Sequence, residues 1–234
     1  LKGMYPSGNM VIFLNIEDTF KELEGMLKDK SIYLCVSYDT DLLAMEKVTG
    51  FVKKWIEFTK EHPNLTIEVR TKSGDLSFFK ENEAVSNVIY AFTISPDLVV
   101  QKYEHNTASM ESRIKAASYA KSLGHNIRLC FDPMIYVPDW KRHYEDMIDR
   151  CFACIDKDSL LDVSVGSFRI SQDYLKKMRR DMPKSSVAQF PYVNKGGVYQ
   201  YPEGLMQEME DFMEKKLLEY ISRDKIFRWE DDNE

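Results

Sequence analysis

The sequence predicts an α/β fold of repeated βα units arranged around a parallel sheet. Two observations carry that expectation. Short β-rich runs alternate with longer helical patterns from end to end. A chain of 234 residues with 44% hydrophobic content is also long enough to bury one substantial core without a second domain.

Residues 11–15 (VIFLN) read as a first strand, followed by a helix over 16–28 with Phe20, Leu23, Met26 and Leu27 on one face. Residues 31–37 (SIYLCVS) read as a second strand. The helical pattern over 42–62 breaks near Thr49 and Gly50 and stops before Pro63, which disfavours helix in the residue preceding it. Further strands follow at 65–70 (LTIEVR), 85–94 (VSNVIYAFTI), 127–131 (IRLCF) and 161–168 (LDVSVGSF), with a helix over 110–123 closed by Gly124. Beyond Asp173 come a basic helix (YLKKMRRDM), a turn at Gly196 and Gly197 between aromatic residues, and a long helix from about Gly204 to Ile221. The acidic end, RWEDDNE, reads as a frayed tail.

The net charge of −6 excludes a protein that coats DNA or an anionic membrane by charge alone, because such binding needs a dominant basic surface. Cys35, Cys130, Cys151 and Cys154 are expected to be reduced thiols of a cytoplasmic protein. The pair Cys151 and Cys154 falls in a helical run, where its spacing is expected to bury both against the core. His105 stands alone, and no metal site is expected.

In a parallel barrel, chemistry sits at the C-terminal strand ends. That rule nominates Ser37, Tyr38, Asp39, Asp41, Thr71, Lys72, Thr93, Ser95, Asp132, Ser167 and Arg169. The bland readings stand beside these: Lys72 as a solvated strand-end lysine, Asp132 before Pro133 as a turn initiator, and the basic cluster Lys176, Lys177, Arg179 and Arg180 as an exposed helix face.

The stretch AFTISPDLVVQKYEHNTASMESRIKAA, residues 91–117, resembles the spore photoproduct lyase family, where a strand ending in a small hydroxyl residue leads to YE, GT, S, E, RI and AA in order. Further pieces agree in order and spacing: VIFLNIEDTF, TDLLAMEKVTG, Thr71 with Lys72, FDPMIY with the following DW, and GSFR at 166–169. The resemblance implies a partial (β/α)6 TIM-type barrel, here lacking its first strand and cluster loop. It also implies that a [4Fe-4S] cluster reductively cleaves S-adenosyl-L-methionine to an adenosyl radical, which acts on a thymine dimer in DNA. An external electron donor such as flavodoxin or ferredoxin is implied as well.

By the same likeness Ser37, Lys72, Thr93, Ser95 and Asp132 are the expected cofactor contacts, and Arg169 and Tyr199 the expected substrate contacts. Two departures qualify the pattern. The family's CxxxCxxC loop would lie immediately before Leu1, so the ligand cysteines are expected upstream and the chain as given is expected to be inactive. The hydrogen-returning cysteine's position falls on Tyr38, with Cys35 three residues earlier. The alternatives carried are a radical enzyme acting on a non-DNA substrate and a catalytically silent barrel that binds a partner. Residues 1–170 are expected to form the barrel core and 171–234 a C-terminal extension packed on it, in a monomer.

Overall fold

A computed structural model describes residues 11–37 and 40–228. Its centre is a sheet of six parallel strands: β1 (Ile32–Cys35), β2 (Leu65–Thr71), β3 (Val88–Thr93), β4 (Asn126–Met134), β5 (Asp162–Ser167) and, last in the chain, β9 (Ile226–Arg228). They lie side by side in that order and form a curled half-barrel. Parallel neighbours need crossover connections, and helices supply them on the convex side. α1 (Ile16–Leu27) precedes β1; α2 (Glu46–Thr49) and α3 (Phe51–Lys60) link β1 to β2, α4 (Ser77–Glu81) links β2 to β3, α5 (Asp97–Tyr103) and α6 (Met110–Ser122) link β3 to β4, and α7 (Trp140–Cys154) links β4 to β5.

Strand alternation sorts the side chains into two faces. Leu65, Ile67, Val69, Val88, Tyr90, Phe92, Ile127, Leu129, Phe131, Val163 and Ile226 point to the helices and are buried. The register places Cys35, Glu68, Arg70, Ala91, Thr93, Arg128, Cys130, Asp162 and Ser164 on the opposite, concave face. One face is thus an ordinary apolar core, while the other is mainly polar. The break foreseen near Gly50 is real: it adopts φ 65°, a left-handed conformation favouring glycine, and separates α2 from α3. The Glu46 carboxylate then caps α3 by accepting from Val52 N and Lys53 N.

After β5 the chain leaves the sheet. β6 (Arg169–Ser171), β7 (Val193–Lys195) and β8 (Val198–Gln200) make a small antiparallel sheet, with α8 (Gln172–Asp181) beside it and α9 (Glu203–Leu217) returning along β5. Gly196 and Gly197, at φ 60° and 90°, form the two-residue hairpin turn between β7 and β8.

Three expectations are corrected. Residues 11–15 form no strand, and Phe13 and Leu14 are exposed; an apolar run becomes a strand only where a neighbour completes its hydrogen bonds. Arg228, taken as the start of a frayed tail, closes β9, which pairs with β5 through Val163 with Ile226 and Val165 with Arg228. The final strand of the supposed extension therefore belongs to the barrel sheet. Of the two helix cysteines only Cys151 is buried, since Cys154 is the last residue of α7 and faces outward. Among the described residues no helix is long and apolar enough to cross a membrane.

Candidate active site

The concave face carries two polar layers. The lower one lies toward the strand starts and consists of Tyr33, Glu68, Arg128 and Asp162. Arg128 reaches across β3 to hold Glu68 at 2.5 Å and the Tyr33 hydroxyl at 2.7 Å, and grips both oxygens of Asp162 at 2.5 and 2.7 Å. Tyr33 donates to Glu68 as well. The other Glu68 oxygen faces Cys35 Sγ at 3.7 Å. Burial, then the Glu68 charge, pushes the Cys35 thiol up, so it stays an S–H group at neutral pH.

The upper layer lines a cleft of about 430 Å³, bounded by Arg70, Lys72, Thr93, Asp132, Pro133, Ser164, Val165, Gly166, Ser167, Arg169 and Phe227. These residues come from the ends of β2, β3, β4, β5 and β9 and the start of β6. At its floor Asp132 accepts from Arg70 Nη2 at 2.5 Å and Ser164 Oγ at 2.6 Å. Cys130 beneath is fully enclosed, and burial followed by the Asp132 charge pushes its thiol up to about 12. Arg70 Nε and Ser167 Oγ are buried without a hydrogen-bond partner.

Lys72 is held at the rim by Glu104, whose Oε1 takes the Lys72 ammonium at 2.6 Å and the Ser95 hydroxyl at 3.0 Å. The other Glu104 oxygen takes the fully buried Arg113 at 2.6 Å, while Arg113 also bonds Thr93 O, Ala108 O and Thr107 Oγ1. Burial alone would raise the Glu104 carboxyl; Lys72 and Arg113 outweigh it and hold the group below the usual carboxylate range. From the other side Asp41 accepts from Lys72 N at 2.7 Å and Thr71 Oγ1 at 2.8 Å, fixing the end of β2.

Of the residues nominated from the sequence, Lys72, Thr93, Asp132, Ser167 and Arg169 meet at this cleft. Ser37 lies elsewhere: its hydroxyl accepts from Arg70 N and donates to Arg70 O, joining β1 to β2. Ser95 stands behind the rim on Glu104. Cys35 sits in the lower layer. Tyr199 is in the small sheet, its ring under the Arg179 guanidinium at 5.9 Å. Tyr38 lies outside the described residues.

The family model described as spore photoproduct lyase matches residues 4–228. The chain belongs to the spore photoproduct lyase family. It is 24% identical over 198 residues to the spore photoproduct lyase of Clostridium acetobutylicum, covering 80% of this chain and 57% of that protein. The enzyme of Bacillus subtilis is 17% identical over 180 residues, covering 75% and 53%. The chain thus spans little more than half the length of these relatives. Among solved structures, a spore photoproduct lyase variant with bound AdoMet and dinucleoside spore photoproduct superposes with a TM-score of 0.78 at 18% identity, over 93% of this chain and 67% of that one. Another, complexed with dinucleoside spore photoproduct, gives 0.79 with the same identity and coverage.

The stretch that carried the resemblance to spore photoproduct lyases acquires a physical meaning here. Glu104, Thr107 and the fully buried Arg113 form the brace behind Lys72, and Ser109 caps α6 by accepting from Ser112 N. Sequence reading missed Arg70, Glu104, Arg113 and Ser164 as parts of the site. Glu104 and Arg113 were in view as motif letters, but their pairing is a property of the fold.

Proposed function

We propose that this chain is the S-adenosylmethionine-binding barrel of a radical enzyme that repairs a thymine-dimer lesion in DNA. The observation that supports this most is the convergence of Arg70, Lys72, Thr93, Asp132 and Arg169, from the ends of β2, β3 and β4 and the start of β6, on one cleft of about 430 Å³, a size suited to a small ligand. The donor chemistry fits S-adenosylmethionine. Lys72 and Arg169 suit its carboxylate, Asp132 suits its ammonium or a ribose hydroxyl, and the unpartnered Ser167 Oγ and Arg70 Nε offer further hydrogen bonds.

When bound and reduced by one electron, S-adenosylmethionine supplies the hydrogen-abstracting chemistry. The chain's own residues hold and orient it: Glu104 and Asp41 fix Lys72 before ligand arrives, which lowers the ordering cost of binding. The half-buried Cys35, kept as a thiol, retains the S–H bond that a hydrogen-returning group needs, and Tyr38 is proposed as the other candidate for that role. Among the described residues no three histidine, cysteine or acidic side chains gather into a metal-binding group. The described residues therefore do not fit an iron–sulfur cluster, and no step runs through one here. The electron would come from an external donor of the flavodoxin or ferredoxin class.

The test uses the full product of the gene, supplied with iron and sulfide and reduced. Release of deoxyadenosine and reversal of a dinucleoside spore photoproduct are expected. Lys72→Met should weaken S-adenosylmethionine binding by about tenfold or more, the worth of a charge-assisted hydrogen bond. Absence of both binding and deoxyadenosine release overturns the reading.

A further inference from the structure

We infer that Glu210, on α9, is a positioning residue for the cleft: it fixes residues 166–169 at the tip of β5 by holding one backbone amide, and is itself held by Arg228 of β9. The inference rests on reading the cleft as a site for S-adenosylmethionine.

Glu210 is buried, 9% exposed, on the helix face that otherwise presents Met209, Met213 and Leu217 to the core. Packing alone would favour another apolar residue there, since a carboxylate in such surroundings is costly unless its bonds are met. They are met at both ends. Oε1 accepts from Ser167 N at 3.0 Å, and Oε2 faces Arg228 Nη2 at 3.4 Å. The other amino group of Arg228 bridges Asp211 and Glu214, each at 2.8 Å.

The amide that Glu210 takes is one the sheet leaves over. Among the described residues β5 pairs with β9 as far as Val165 with Arg228, while on the opposite side Ser167 is matched with Met134. Ser167 N lies past the last rung on the β9 side, and an unpaired buried amide would let the strand tip move. A side-chain carboxylate thus stands in for a backbone carbonyl where the ladder ends. That point is also where the cleft begins, because Gly166, Ser167 and Arg169 line it. Ser167 Oγ has no protein partner, so its own side chain does not pin the segment.

The test is calorimetric titration of S-adenosylmethionine into the protein and its variants, with thermal melting alongside. Glu210→Ala should weaken binding about tenfold, as expected when cleft-lining groups lose their placement. Glu210→Gln keeps an oxygen for Ser167 N and should stay within about threefold of the parent, since that bond carries the placement. Leu217→Ala, on the same helix but away from Ser167, should lower the melting temperature while leaving affinity unchanged. Equal affinity in parent and Glu210→Ala overturns the inference, as does an affinity loss that Leu217→Ala reproduces. If Lys72→Met weakens binding and Glu210→Ala does not, only this inference falls; if the parent does not bind, the reading of the cleft falls and takes it along.

Discussion

The lower and upper layers of the concave face share strands β2, β4 and β5 and are both rich in charge, yet they use it in opposite ways. In the lower layer Arg128 engages Tyr33, Glu68 and both oxygens of Asp162, so its bonding is consumed internally. In the upper layer Arg70 Nε and Ser167 Oγ remain unmatched beside a cleft, and Lys72 is braced rather than neutralised alone. The contrast teaches that charge density does not mark a site; unmet bonding capacity at a cavity does. The Arg128 ion network of the lower layer reads as structure and the upper layer as ligand binding.

The comparison breaks most sharply at Arg128. Replacing it with Met leaves Glu68 and Asp162 facing each other's surroundings without their cation, and Glu68 is only 6% exposed. A loss of about 3 kcal/mol in folding stability is expected in chemical denaturation, with S-adenosylmethionine affinity unchanged. Lost affinity with intact stability would exchange the roles assigned to the two layers.

A smaller effect sharpens the rule that orphaned atoms matter only at a cavity. His125 is buried between the rings of Phe79 and Tyr90, at 5.2 and 5.3 Å, with neither ring nitrogen hydrogen-bonded, and it lines no part of the cleft. Burial lowers its pKa, so the fold holds it neutral. Its contribution is complete above the unfolded value near 6.5 and is lost as pH falls below that toward the depressed folded value. Melting temperature should drop between pH 7.5 and 5.5, and His125→Phe should flatten part of that slope without altering ligand affinity.

The smallest expected effect is kinetic and concerns thiols. At pH 8 an aromatic disulfide reagent should modify the exposed Cys154 first and Cys35 slowly, while Cys130 and Cys151 stay silent until the protein unfolds. Fast reaction at Cys130 would mean that the cleft floor opens to solvent, erasing the distinction between a closed lower layer and an open upper one.

How much was legible in the sequence follows the same physics. The central strands announced themselves because one face of each must be apolar to meet the helices, as in Leu65, Ile67 and Val69. β9 was missed because three residues carry too little pattern, and VIFLN misled because composition cannot reveal whether a partner strand is present. Strand-tip reasoning found Lys72, Thr93, Asp132, Ser167 and Arg169. It could not tell them from Ser37 and Ser95, whose hydroxyls are absorbed by a neighbouring backbone and by Glu104. Glu104, Arg113 and Glu210 act through partners far off in sequence, and no local spacing encodes such pairings.

The late position of β9 in the chain has a consequence for synthesis. Until residues 226–228 leave the ribosome, β5 presents an open row of amides and carbonyls to the cell, a surface to which any extended peptide could adhere. Completing this sheet and protecting the open edge of β5 from sticking to its neighbours are therefore one event.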